Sequence, residues 1–166
     1  LANYPITNGS DELRHAIAGW LARRYGIPQP DPVHQVLPVN GSREALFAFA
    51  QCVADPLRQD GLVLCPNPFY QIYEGAAYLA GLSPTFINQL PGDNFATNFA
   101  TVPEDVWRHT QLVYICSPSN PTGNVVSFDQ WQQLFELSDR HGFVIASDEC
   151  SSAIYCVARQ PPLGAT

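Results

Sequence analysis

Apolar positions along the chain recur at two spacings. Leu13, Ile17, Trp20 and Leu21 fall at helical intervals; Ser10 before Asp11 and Glu12, with Gly26 behind, predicts a helix over 11–25. Residues 33–39 form a short apolar run, read as a strand, that ends in Asn40-Gly41. Ser42 then opens a second predicted helix over 43–54, carrying Leu46, Phe47, Ala50 and Val53. A buried strand is expected at 62–65, a helix over 70–80 stopped by Gly81, and another strand at 83–87. Residues 88–101 are polar, rich in Gly and Asn, and irregular. A strand over 112–116, a helix over 128–141 closed by Gly142, and an apolar strand over 143–147 follow.

This alternation of helices with continuous apolar strands predicts an α/β fold: three layers, a mostly parallel sheet with helices on both faces. No internal repeat or dividing linker is visible. In such sheets ligands bind beyond the carboxyl ends of the strands. The polar clusters NGSRE, PNPFY, SPSNPTG and SDE each come after an expected strand and so converge on one sheet edge.

Composition narrows the picture. With 166 residues, 46% apolar and 14% charged, the chain is one domain or part of one, and too apolar for a disordered segment. Eight basic against fifteen acidic side chains give a net charge of −7, which argues against nucleic-acid or anionic-membrane partners. No apolar run approaches the roughly 18 residues of a membrane span, and the opening LANYPITNGS is no signal peptide, so a soluble, cytoplasmic protein is expected. There is no Met, so residue 1 is expected not to be a native start; there is also no Lys. The five Cys (52, 65, 116, 150, 156) lack CxxC spacing and read as reduced core thiols; no metal site is expected.

Four clusters carry candidate chemistry. Gly41 permits close backbone approach, and the Ser42 and Arg43 amides open a helix, which makes an anion site; an ordinary turn with a Ser cap is the plainer reading. Tyr70, after two prolines, offers an aromatic face for a flat heterocycle, or simply core. Ser117-Pro118-Ser119-Asn120-Pro121-Thr122-Gly123 is a rigid loop presenting the Asn120 amide, suited to a ring hydroxyl or oxyanion. Asp148 and Glu149 put two carboxylates at a strand tip, costly unless a cation meets them; a helix cap is the alternative.

Together these motifs resemble the fold-type I pyridoxal-phosphate aminotransferases of classes I and II, over essentially the whole chain: YPITNG, ELRHAIAGWL, NGSREALF, PNPFYQIYEGAA, SPSNPTG and VIASDE. The wording NGSREALF, SDEC and PPLGA is most similar to the branch acting on N-succinyl-LL-diaminopimelate and 2-oxoglutarate in lysine biosynthesis. The resemblance implies pyridoxal 5'-phosphate as cofactor, amino-acid and 2-oxo-acid substrates, and a homodimer. It implies that Gly41, Ser42 and Arg43 cradle the phosphate, Tyr70 stacks on the ring, Asn120 bonds the ring hydroxyl and Asp148 pairs with the ring nitrogen. Tyr4 matches a residue that reaches the neighbouring subunit's phosphate; Glu149 is expected to be structural.

The chain departs from the family at two places. Ser151 stands where a ring-contacting Tyr is usual, and the Schiff-base Lys, which the family carries downstream of the Asp, is not among these residues. No catalytic residue is therefore assigned within the chain. Residues 1–166 are expected to be part of the cofactor-binding large domain, without the Lys segment and the small domain, and inactive alone. A non-catalytic cofactor-binding or assembly module is the alternative. A nucleotide-binding domain is disfavoured, since neither GxGxxG nor GxxxxGK[ST] occurs.

Overall fold

The computed structural model describes residues 4–58 and 60–154. The chain divides into two compact units, one up to Asn40 and one from Gly41 onward.

The first unit is built on α1, Asp11–Tyr25. Its ends are those the sequence predicts: Leu13 N donates to Ser10 Oγ at 3.2 Å, and Gly26, at φ 66°, donates to Ala22 O at 2.9 Å. The run 33–39 is not a strand. Asp31 organises it instead, accepting from Val33 N at 2.8 Å while its own N–H donates to Gln35 Oε1 at 2.7 Å. Within the run Pro38 withholds an N–H that a ladder would need, and Pro28, Pro30 and Pro32 lead into it. The first polar cluster thus follows an irregular segment, not a strand.

The second unit contains α2 (Ser42–Val53), β1 (Leu62–Asn67), α3 (Ile72–Leu79), β2 (Ser83–Asn88), α4 (Glu104–His109), β3 (Thr110–Cys116), α5 (Phe128–His141) and β4 (Val144–Asp148). Single 3₁₀ turns at Pro91–Asp93 and Phe99–Thr101 interrupt the irregular stretch. The four strands form one parallel sheet in the order β2-β1-β3-β4, bearing out the α/β reading.

Alternation along the inner strands sends side chains to both faces. Val63, Cys65, Leu112 and Tyr114 pack with Leu46, Ala50, Tyr73, Ala76 and Ala77 of α2 and α3. Leu64, Val113 and Ile115 pack on the other face with Trp107, Trp131 and Leu134 of α4 and α5. Two bonds tie the first layer: buried Tyr114 Oη donates to Leu46 O at 2.7 Å, and Gln51 Nε2, nearer the surface, to Ala76 O at 3.0 Å. On the second, Ser127 and Gln130 form a reciprocal capping box that starts α5, and Gly142, at φ 76°, ends it.

The thiols divide by position. Cys65 is buried and Cys116 half-buried, but Cys52 and Cys150 are exposed, so they are not core thiols; Cys156 lies outside the described residues. Cys52 sits on α2, and Cys150 lies two residues past β4.

Candidate functional site

The sheet order fixes where a site can form. From β1 the chain moves outward to β2, then returns past β1 to β3 and on to β4. The segments leaving β1 and β3 diverge, which opens a crevice at their carboxyl ends. Three predicted clusters leave the sheet at that edge.

Asp148 is the last residue of β4, in register with Cys116 at the end of β3. It is only 9% exposed. Its Oδ2 accepts from Tyr73 Oη at 2.7 Å and its Oδ1 from Cys150 N at 3.3 Å. Its backbone carbonyl accepts from Ser117 N at 3.1 Å, so β4 fixes the start of the next loop. Among the described residues no salt bridge reaches it. Glu149 turns away and accepts from Ser147 Oγ at 2.8 Å.

Tyr73 lies on the first turn of α3, fully buried, its ring stacked on Tyr114 at 4.5 Å. Burial above all pushes its hydroxyl well above the usual tyrosine range, reinforced by the negative groups Cys116 and Asp148. Tyr70 meets the Tyr73 ring edge-on at 6.0 Å. It precedes α3 instead of opening it, its carbonyl accepting from Tyr73 N at 3.0 Å.

Tyr70 is anchored from α2: Arg43 Nε donates to its hydroxyl at 2.6 Å. The cap of α2 is Gly41, and no side chain caps the helix, contrary to a plain Ser cap. Its first amides therefore remain for an anion. A Cβ on Gly41 would come within 2.8 Å of Glu44 Oε2, the movable end of a side chain that lies over this helix start. Ser42 lies near enough to the Cys150 thiol to lower its pKa against the rise that burial causes, which brings the start of α2 to the turn after β4.

The loop after β3 completes the edge. Ser119 N donates to Asn124 O at 2.8 Å, Gly123 N to Ser119 O at 2.7 Å, and Val126 N to Ser117 Oγ at 3.2 Å. Gly123 turns at φ 73°, a conformation that favours glycine. Asn120 is exposed, and its backbone lies beside the Cys116 thiol, which donates to Pro118 O at 3.2 Å. That thiol is raised by burial first and by the Asp148 charge second.

Arg43, Tyr70, Tyr73 and Asp148 are thus linked through direct contacts, with Ser42 near Cys150 and Asn120 beside Cys116. Tyr4 lies in the other unit, 98% exposed. Ser151, in place of the usual family Tyr, is exposed in the turn after β4. Sequence reasoning missed Tyr73 and Cys116 as parts of the cluster. For Tyr73 a signal existed, since three residues after Tyr70 is one helical turn. A cavity of about 340 Å³ lies elsewhere, between β2 and α4, lined by Leu64, Phe86, Ile87 and Val106 among others.

Comparison with known proteins bears on this geometry. The family described as "Aminotransferase class I and II" matches residues 1–153. The chain is 31% identical over 159 residues to LL-diaminopimelate aminotransferase of Desulforudis audaxviator, covering 96% of this chain and 40% of that protein. It is equally similar, over the same shares, to the enzyme of that name from Aquifex aeolicus. Among solved structures, an aminotransferase from Neisseria meningitidis superposes with TM-score 0.92 at 47% identity, over 98% of this chain and 41% of that one. Aminotransferase AspB from Helicobacter pylori follows with TM-score 0.88 at 33% identity, over 98% and 41%. The chain therefore spans about 40% of the length of the curated relatives it matches. Open amides, an anchored tyrosine and a buried aspartate at one edge of such a sheet accord with these matches, and the chain belongs to the class I and II aminotransferase family.

Proposed function

We propose that residues 1–166 are part of the cofactor-binding large domain of a pyridoxal 5'-phosphate-dependent aminotransferase. The observation that carries this is Asp148: a nearly buried carboxylate with only neutral hydrogen-bond donors, close to the open amide end of α2. A buried carboxylate of this kind calls for a cation, and free helix amides call for an anion. Pyridoxal phosphate presents both on one flat ring, a pyridinium nitrogen and a phosphate, so the donor set fits it.

In this reading the Gly41, Ser42 and Arg43 backbone holds the phosphate. Tyr70 supports the ring face, its orientation set by Arg43. Asn120 donates its side-chain amide to the ring hydroxyl oxygen, and Asp148 holds the proton on the ring nitrogen. When bound, the cofactor supplies an electron sink for the substrate carbanion. In a homodimer Tyr4 reaches the neighbour's phosphate.

The proposed substrates are N-succinyl-LL-diaminopimelate as amino donor and 2-oxoglutarate as acceptor, in lysine biosynthesis. The wording NGSREALF, SDEC and PPLGA supports that choice; the relatives named for LL-diaminopimelate support transamination in general and not the succinylated donor.

Titration with pyridoxal phosphate, followed by ring absorbance, tests the cofactor reading. Saturable binding by the chain, lost in Asp148→Ala, is expected. No saturable binding, or equal binding by the variant, overturns it.

A further inference from the structure

We propose that Tyr73 is a positioning residue that holds Asp148 in place as a charged partner for the cofactor ring nitrogen, an inference that rests on the reading above.

The geometry is specific. Tyr73 Oη donates to Asp148 Oδ2 at 2.7 Å, bridging 75 positions of sequence between α3 and β4. Both residues are buried, and Cys150 N occupies Oδ1 at 3.3 Å. Each carboxylate oxygen thus has one donor and keeps lone pairs for a third group. The Tyr73 ring cannot drift, because Tyr114 stacks on one face at 4.5 Å and Tyr70 abuts it at 6.0 Å.

The kind of donor matters. A cationic neighbour would neutralise Asp148 and leave nothing for a ligand cation. A hydroxyl orients the carboxylate without cancelling its charge. Burial raises the Tyr73 hydroxyl and so favours the protonated form that donates. Tyr73 touches no cofactor atom in this arrangement; it acts through Asp148.

Tyr73→Phe removes the hydroxyl and keeps the stacked ring. Tyr114→Phe is the control: it removes an equally buried hydroxyl that donates to Leu46 O instead. Three measurements separate the outcomes: affinity for pyridoxal phosphate, affinity for inorganic phosphate, and the ¹⁵N resonance of ring-labelled pyridoxal phosphate. Tyr73→Phe is expected to weaken pyridoxal phosphate about 10- to 100-fold, the usual worth of a hydrogen bond to a charged group. It should leave inorganic phosphate unchanged and move the ring nitrogen toward its unprotonated resonance; Tyr114→Phe should do none of this. An unshifted nitrogen signal in Tyr73→Phe, or equal losses in both variants, overturns the positioning role alone. If the unaltered chain binds inorganic phosphate but not pyridoxal phosphate, the cofactor reading falls and takes this inference with it.

Discussion

Arg43 Nε donates to the Tyr70 hydroxyl at 2.6 Å, joining the first turn of α2 to the segment that leads into α3. The two residues are 27 apart in sequence and belong to different clusters. One side chain thus ties the open end of α2, proposed to hold the phosphate, to the ring proposed to support the cofactor. The bond also holds the Arg43 guanidinium more firmly protonated than usual.

Arg43→Ala should free the Tyr70 ring and lower affinity for pyridoxal phosphate a few-fold, without changing thermal stability. Tyr70→Phe should give a similar loss, and the double variant should lose little more, because both changes break one contact. A double-mutant cycle on ring absorbance reads the coupling. Fully additive losses would show that the bond does not orient the ring.

Asp148→Ala and Glu149→Ala should separate sharply, although the residues are adjacent. The first strips the acceptor from the buried Tyr73 hydroxyl and so costs on the order of 1–3 kcal/mol of folding stability, besides pyridoxal phosphate binding. Glu149 accepts from the Ser147 hydroxyl, whereas the acceptor of the buried Tyr73 hydroxyl is Asp148. Its loss should leave the melting temperature and the absorbance titration near those of the parent chain. In an enzyme that carries the Lys, the same pair should differ in kcat. Equal, mild effects in both variants would sink the assignment.

Alkaline pH should weaken the fold through Cys65. Burial, then the Glu74 charge, pushes its thiol from 9.0 up to about 12. The folded protein therefore holds that proton more tightly than the unfolded chain does. The resulting stability is fully present below pH 9 and declines as the pH rises toward 12. Urea midpoints measured at about pH 8 and about pH 10 should fall in the parent chain and fall less in Cys65→Ala. An unchanged slope would mean that Cys65 does not carry the linkage. Thiol labelling gives a parallel check: exposed Cys52 should react in the native state, and Cys65 only on unfolding.

These 166 residues should not turn over substrate even when saturated with pyridoxal phosphate. Transamination needs an amine to release product and a base to move the proton at the substrate α-carbon, and the chain has no Lys. Arginine stays protonated and cannot serve. Of the histidines, His15 lies on α1 and His34 is held by Asp31. His109 and His141 end the helices that lead into β3 and β4, at the opposite sheet edge. With glutamate present, the pyridoxamine form should appear no faster than with free cofactor. Catalysed formation would require another residue to act as the amine.

Where local signals were strong, the sequence read true. Ser10 with Gly26, and Ser127 with Gly142, mark the ends of α1 and α5, because cap chemistry depends on a few adjacent residues. The inner strands stood out because burial on both faces makes them continuously apolar. The sequence reading failed where distant groups decide. Residues 33–39 look strand-like until Pro38 and Asp31 are weighed. The helix α4 has only six residues, too few to show a period, and is held by buried Trp107. Tyr73 and Cys116 looked like ordinary core, because their polar atoms find partners only once β4 lies beside β3.

The order β2-β1-β3-β4 also has a kinetic consequence. The central pairing of β1 with β3 skips a strand, and the contacts Tyr73–Asp148 and Tyr114–Leu46 close loops of 75 and 68 residues. Local helices can form early, but these closures lose chain entropy before any contact repays it. The pocket edge is therefore expected to assemble late in folding. A spectroscopic probe at Tyr73 would report completion of the whole second unit, not the arrival of any one of its segments.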